Sequence, residues 1–491
     1  MTDVQLKNKE TVYDAMAIIL MALFTFFINR EIRISGLYMD DLYLWSCYGE
    51  QSFTEFVFPV GSARFRPVFW TAAYMELRAI GTNLQLIVPI NLVILTLITV
   101  YCYFFMKRLS GSGLLAFSSC IAILASTFSY YDVSQLLGLL ESLSMFFAVF
   151  ICIELYRYMH EGKELHFIPA VISYLLVCFT HERYMVLIPM FYYALIIKKD
   201  RKRVNYIFPA AALLFVVASR YLITGTILPA GTGGTKVEET FTIAGFIGSI
   251  KCEIKYLLGF NAGPEYLCGI EWQYVNSGIK ACVYCGIALM TLIALLFFVK
   301  LIKKIGKGAG RLTYLTDEML FAGFIIGCVA ASSVTIRVEM RWIYTSFVFM
   351  LFIIAYAYGV IAKNSGKGLK RTALLCSVMI YLLFICENCY YRGFWNRIYL
   401  FPNQARYNSL ADVTYGKYGD EIFGKDIYII GNSYEMSDFT GETFFKTFDP
   451  ERKAEGTKVY HVEDIGDIRR NENCIVLKED PENNAFTEIR Q

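Results

Sequence analysis

Thr11-Val-Tyr-Asp-Ala-Met-Ala-Ile-Ile-Leu-Met-Ala-Leu-Phe-Thr-Phe-Phe-Ile-Asn29 is a run of 19 residues with one carboxylate near its start. A helix crosses the hydrocarbon core of a bilayer in about 20 such residues, so this stretch reads as a membrane span. No small-residue cleavage site follows it, which argues against a removed signal. Runs of the same kind recur near residues 84 to 106, 113 to 131, 134 to 156, 167 to 180, 183 to 197, 204 to 224, 279 to 302, 318 to 335, 342 to 362 and 371 to 389. The hydropathy pattern therefore predicts about eleven transmembrane helices. Composition agrees: 56% of the 491 residues are hydrophobic and the mean hydropathy is +0.45, whereas soluble domains hold about 45–50% apolar residues. A soluble globular fold is excluded.

Loop charge predicts the orientation, because Lys and Arg are retained on the cytoplasmic side. Lys7 and Lys9, Lys107-Arg108, Arg157 with Lys163, the run from Lys198 to Arg203, Lys300 through Arg311, and Lys363 to Arg371 fall on one side. That sets the N-terminus inside and the C-terminus outside a bacterial cytoplasmic membrane. The stretch holding Asp40 and Asp41, the turn at 181 to 183, the loop at 225 to 278 and residues 335 to 342 then face outward. From Tyr399 to Gln491 there are 18 acidic and 11 basic residues, a net of −7, so in a chain of +3 the preceding part carries +10. Short β-type runs at 426 to 430, 458 to 462 and 474 to 477, separated by Gly, Asn and Asp, predict a small α/β domain in this tail. The expected architecture is an all-α polytopic membrane domain over residues 1–390, with an extracytoplasmic domain over 391–491. Cys282-x-x-Cys285 and Cys386-x-x-Cys389 lie in or at the end of apolar helices without a second pair to complete a metal site, and read as packing residues.

The first outer loop, from Glu31 to about Asn83, interleaves Asp40, Asp41, Glu50, Glu55, Arg64, Arg66, Glu76 and Arg78 with many aromatics, Trp45 among them. Such a mixture predicts amphipathic helices lying in the interface. Pro67 marks a break before the next helix. Two adjacent carboxylates beside a membrane are costly unless they face water, a cation or a substrate.

The paired acidic motif Met39-Asp40-Asp41-Leu42 after a first span, followed by Arg64-Phe65-Arg66-Pro67, resembles the GT-C superfamily of polytopic glycosyltransferases. It is most similar to bacterial glucosyltransferases that decorate O-antigen or other cell-wall polysaccharide from a polyprenyl-phosphate sugar donor. The resemblance implies transfer of a hexose to a cell-surface glycan or lipid-linked acceptor, with inversion, and implies that Asp40 or Asp41 acts at the acceptor hydroxyl. Chemically, the acceptor alcohol must lose a proton as the anomeric carbon becomes positive. Repulsion between the two carboxylates separates their roles, with Asp41 preferred as base and Asp40 as helper or as ligand to a divalent cation, Mg²⁺ or Mn²⁺. A solvated helix cap is the plain alternative for the pair.

The donor phosphate calls for arginines, whose planar fork pairs with phosphate. Arg64, Arg66, Arg183, Arg220, Arg337 and Arg341 are the outer-side candidates. Arg337-x-Glu339-x-Arg341 and His181-Glu182-Arg183 sit in very short loops, where charges need partners; an interfacial salt-bridged turn is the competing reading of both. The acceptor cavity is expected around His181, Glu182, Asp132 and Trp45, with Glu141 beside Asp132; helix capping would also account for these last two carboxylates. Gly231-Thr232-Gly233-Gly234-Thr235 could close over a substrate; it lacks the Lys-Ser/Thr of a P-loop. A lipid-linked oligosaccharide flippase or polymerase is the alternative class. A flippase predicts charges near the midplane and two related halves, and a polymerase predicts large late loops. The expected partners are the lipid-linked donor, the acceptor and membrane lipid, with no nucleic acid.

Overall fold

The computed structural model describes residues 3–60, 62, 64–200, 202–230, 235–261, 270–306, 316–363, 365–434, 436–449, 457–468 and 473–489. Gly231 to Gly234 and the basic residues 307 to 311 lie outside them. Helix α1 (Asp3–Ile28) is followed by α2 (Asp40–Glu50) and α3 (Pro67–Ile80) in the first loop. Next come α4 (Ile87–Ser110), α5 (Gly113–Ala125), the short α6 (Tyr130–Ser134) and α7 (Gly138–Glu161). After them run α8 (Glu164–Thr180), α9 (Ile188–Lys198), α10 (Arg203–Thr224) and α11 (Ile243–Leu257). The last of the apolar set are α12 (Ser277–Gly306), α13 (Thr316–Ser333), α14 (Met340–Ala362) and α15 (Lys367–Arg392).

This is a multi-pass helical membrane protein. Among the described residues, eight helices (α1, α4, α7, α10 and α12 to α15) are long and apolar enough to cross a bilayer. The α5–α6 pair, bent by 47°, makes a ninth if it is one span. The remaining two of the eleven expected segments are shorter than a full span. One is α8, of 17 residues; the other breaks into a 3-10 stretch, Glu182–Leu187, and the 11-residue α9. The chain is interrupted there because His181, Glu182 and Arg183 are committed to tertiary ion pairs described below. Exposed apolar side chains such as Leu23, Leu222 and Ile326 stud the outside of the bundle, as a hydrocarbon solvent requires.

Charge gathers at the two ends. One end holds Lys107–Asp14 at 2.8 Å and Arg108–Glu161 at 2.9 Å. The loop after α1, the end of α8 and the start of α14 meet at the other.

Helix α16 (Leu400–Val413) opens the C-terminal part, followed by β1 (Asp426–Ile430), α17 (Asp438–Lys446), β2 (Lys458–Val462), β3 (Cys474–Asp480) and β4 (Ala485–Glu488). The strand order is β2-β1-β3-β4. Strand β1 runs parallel to both β2 and β3, in register Ile427↔Val459 and Ile427↔Ile475, whereas β4 returns antiparallel to β3. Strands β1 and β2 match the expected runs, β3 starts where its run does and extends three residues further, and β4 is an addition. This sheet is joined firmly to the first loop. Asn408 of α16 accepts from the Ser35 N–H at 2.7 Å and donates to the Arg33 carbonyl at 2.9 Å. One turn earlier Gln404 donates to the Gly36 carbonyl at 2.7 Å.

Candidate functional site

Helix α2 begins at Asp40, so both aspartates sit in a first turn, where the helix dipole favours negative charge. The preceding Met39 has a φ of +50°, a conformation that costs a side-chain-bearing residue about 1–3 kcal/mol and recurs at functional sites. Adjacent residues on a helix point about 100° apart, and the two carboxylates part accordingly. Asp41 is fully buried. Its oxygens accept the Leu136 N–H at 2.8 Å and the Leu137 N–H at 2.9 Å, closing the break before α7. Burial pushes the Asp41 carboxyl up to about 7, against the pull of those two N–H groups. Asp40 is exposed.

Across the loop, the expected break at Pro67 is present: α3 starts there with Arg66 at its N-cap. The side chain of Arg66 turns inward to Glu182, Nε to Oε2 at 2.8 Å, and Arg220 reaches the other oxygen of Glu182 at 3.1 Å. Burial alone would raise the Glu182 carboxyl; Arg66 and then Arg220 overcome it and hold the group below its ordinary range. Glu339 repeats the arrangement, meeting Arg337 at 2.8 Å and Arg341 at 2.5 Å. A third buried carboxylate, Glu141, pairs with Arg183 and lies 3.9 Å from both Arg341 and His181. The Arg341 guanidinium also stacks 3.9 Å over the Tyr131 ring.

Arg64 completes the set differently. Among the described residues no carboxylate lies within ion-pair distance of it. Its ionisation is pulled down first by neighbouring Arg66 and then by burial, while Glu182 and Asp40 act in the opposite direction. Five guanidinium groups thus share three glutamates, with Arg64 beside them and Asp40 at the rim. The cluster keeps a net positive charge, which favours an anion. His181 is held well below the usual imidazole range by burial and by Arg66, Arg183, Arg64 and Arg341; it is a neutral ring in a cationic field.

Beside the cluster lies an apolar cavity of about 400 Å³, with His181 and Arg183 at one end and Phe246, Ala331, Val334 and Trp342 along it. Among the described residues, the buried Nη1 of Arg183 has no hydrogen-bond partner. A slot of this kind suits an amphiphile with an anionic head.

The structure brings together Arg64, Arg66, Arg183, Arg337 and Arg341, singled out for the donor phosphate, with His181 and Glu182, singled out for the acceptor cavity. Of the other two, Trp45 stands apart, whereas Asp132 lies beside the cluster, close enough to interact with the charges of Glu141, Arg183 and Arg341. Trp45 is buried in the hydrophobic core. Asp132 is buried in α6, one oxygen accepting from Ser142 at 3.0 Å. Among the described residues no three His, Cys, Asp or Glu side chains converge on a metal position, and both oxygens of Asp41 are taken by backbone. A divalent cation at Asp40 would have to complete its coordination from substrate phosphate and water.

The sequence placed Glu76 only among the loop charges. It is buried in α3, neither oxygen hydrogen-bonded among the described residues, and burial, then Asp41, pushes its carboxyl up to about 8. Its signal was available: Glu76 lies next to Leu77 on the buried stripe of Phe69, Ala73, Leu77 and Ile80. Compared with models of known protein families and with curated proteins, the chain matches none.

Proposed function

We propose that this chain is a membrane glycosyltransferase of the GT-C kind, transferring one hexose from a polyprenyl-phosphate donor to a glycan or lipid-linked acceptor at the outer face of the bacterial cytoplasmic membrane. The observation that supports it is the juxtaposition of an exposed carboxylate, Asp40, with Arg64, a guanidinium that meets no carboxylate at ion-pair distance among the described residues, at the edge of a cationic cluster. In this reading the polyprenyl chain occupies the apolar cavity and the donor phosphate meets Arg64 and Arg183. The acceptor hydroxyl gives its proton to Asp40 as its oxygen bonds to the anomeric carbon, and the bond from that carbon to the phosphate oxygen breaks on the opposite face.

Charge explains why arginines serve this step. The donor is a phosphodiester with one negative charge, and the leaving polyprenyl phosphate carries a second. A fixed excess of guanidinium therefore stabilises the transition state more than the bound donor. The role of base passes from Asp41 to Asp40 because Asp41 has no free oxygen to offer a substrate.

The test is transfer kinetics with a labelled polyprenyl-phosphate hexose and membranes carrying the chain. A hydrogen bond to a charged group is worth about 1.5–3 kcal/mol, so Arg64→Ala should raise the donor KM roughly 10- to 100-fold. An unchanged donor KM in that variant would remove the phosphate role.

A further inference from the structure

A second cavity, of about 720 Å³, lies on the α16 face that carries Phe401, Ala405 and Asn408. Its walls come from three distant parts of the chain: the end of α1 and the residues after it, the turn between α15 and α16, and the β3–β4 hairpin. Those parts are locked together. Arg392 bonds to Asn29, Gln404 to Gly36 at 2.7 Å, and Arg406 to Asn484 at 3.1 Å. The cleft is preformed, and its size falls within the roughly 300–1,000 Å³ of small-molecule sites.

Its chemistry differs from that of the arginine cluster. Arg33 and Asp412 at the edge neutralise each other at 2.6 Å. The Arg392 guanidinium is spent on Ser126, Ser129 and Asn29 and lies 3.8 Å over the Trp395 ring. The Asn396 amide is exposed and has no partner among the described residues. The polar surface is otherwise mainly amide and hydroxyl, including Gln404, Ser409 and Asn484, with one further carboxylate, Glu31, paired to Arg30 at 3.4 Å. An anionic ligand finds no free cation among the described residues here, and the apolar share of the wall, from Ile28, Ile32 and Phe401, gives sugar rings faces to pack against. A neutral polyol matches, because each hydroxyl both donates and accepts, as an amide does.

We infer that this cleft binds a neutral oligosaccharide, holding the acceptor glycan beyond the sugar that reacts; the assignment to the acceptor rests on the glycosyltransferase reading. The cleft also shares its supports with the catalytic loop. Gln404 and Asn408 on its wall hold the backbone of Arg33, Ser35 and Gly36, a few residues ahead of Asp40.

The experiment is saturation-transfer NMR on the purified full chain in detergent. The probes are neutral hexasaccharides of glucose, galactose, mannose and N-acetylglucosamine, with hexagalacturonate as the anionic control. At least one neutral probe should bind with a millimolar dissociation constant. Ala405→Trp, which fills the cleft from an exposed position, should weaken binding at least 10-fold, and Asn396→Ala should weaken it about 3-fold. Both variants should unfold at the temperature of the parent chain. Asp40→Asn should bind the probe unchanged, so loss of the catalytic reading and loss of the cleft register separately. Absence of binding by every neutral probe, equal binding of hexagalacturonate, or full binding by Ala405→Trp overturns the inference.

Discussion

The carboxylate of Glu182 lies 2.8 Å from the Arg66 guanidinium, joining the first loop to the break after α8 across 116 residues of sequence. Both side chains are less than a tenth exposed, and Arg220 shares the same carboxylate at 3.1 Å. Removing one partner of a buried pair leaves the other charge stranded, at about 3–5 kcal/mol. Glu182→Gln should therefore lower the thermal unfolding midpoint of the detergent-solubilised chain strongly. A midpoint within a degree of the parent would show that the pairing is not buried.

Glu76 predicts a pH dependence of stability. Its carboxyl has a folded pKa of about 8 against 4.5 for an ordinary glutamate. Between those values the folded chain keeps a proton that the unfolded chain releases, so stability falls as pH rises through the window and levels off above it. A folded pKa ten times weaker in acid strength than the unfolded one corresponds to about 1.36 kcal/mol. Glu76→Gln should flatten the midpoint-versus-pH curve and be the more stable protein at pH ~9, by a few kcal/mol at most. The Asp41 contribution should remain, fading above about pH 7. An identical slope in the variant would contradict the burial of Glu76.

Gly36 marks how closely the C-terminal domain approaches the first loop. A Cβ there would sit 2.4 Å from the Phe444 ring and 2.7 Å from the Tyr407 carbonyl. The ring can turn; the carbonyl belongs to α16 and cannot. Gly36→Ala should cost about 1–3 kcal/mol through overpacking and reduce transfer by displacing the support of Asp40. Limited proteolysis of the C-terminal part should speed up in this variant; parent-like proteolysis and transfer would mean that the joint is loose.

Much of this arrangement was legible in the sequence, for identifiable reasons. Span length and apolarity belong to each segment alone, so the long helices could be read directly, as could β1 and β2 with their alternating aliphatic residues. The segments on either side of His181 read as spans because hydropathy counts side chains and ignores ion pairs. Only the fold reveals that Glu182 is held by Arg66 and Arg220. Strand β4, Ala485–Glu488, is four residues long and half polar, and its pairing with β3 gives it order. Asp40 and Asp41 could be singled out together, and the sequence favoured Asp41 as the base. What separates them is the pair of Leu136 and Leu137 N–H groups, more than 90 residues away.

The central claim is that Asp40 receives the acceptor proton while Asp41 closes the break before α7. Its most direct test is the rate of hexose transfer from labelled polyprenyl-phosphate hexose by Asp40→Asn and Asp41→Asn, each normalised to folded protein. General-base catalysis contributes about 10²- to 10⁴-fold, so Asp40→Asn should lose at least 100-fold. Asp41→Asn should unfold earlier, yet keep the parent rate per folded molecule within about 10-fold. Parent-like transfer by Asp40→Asn would contradict the account.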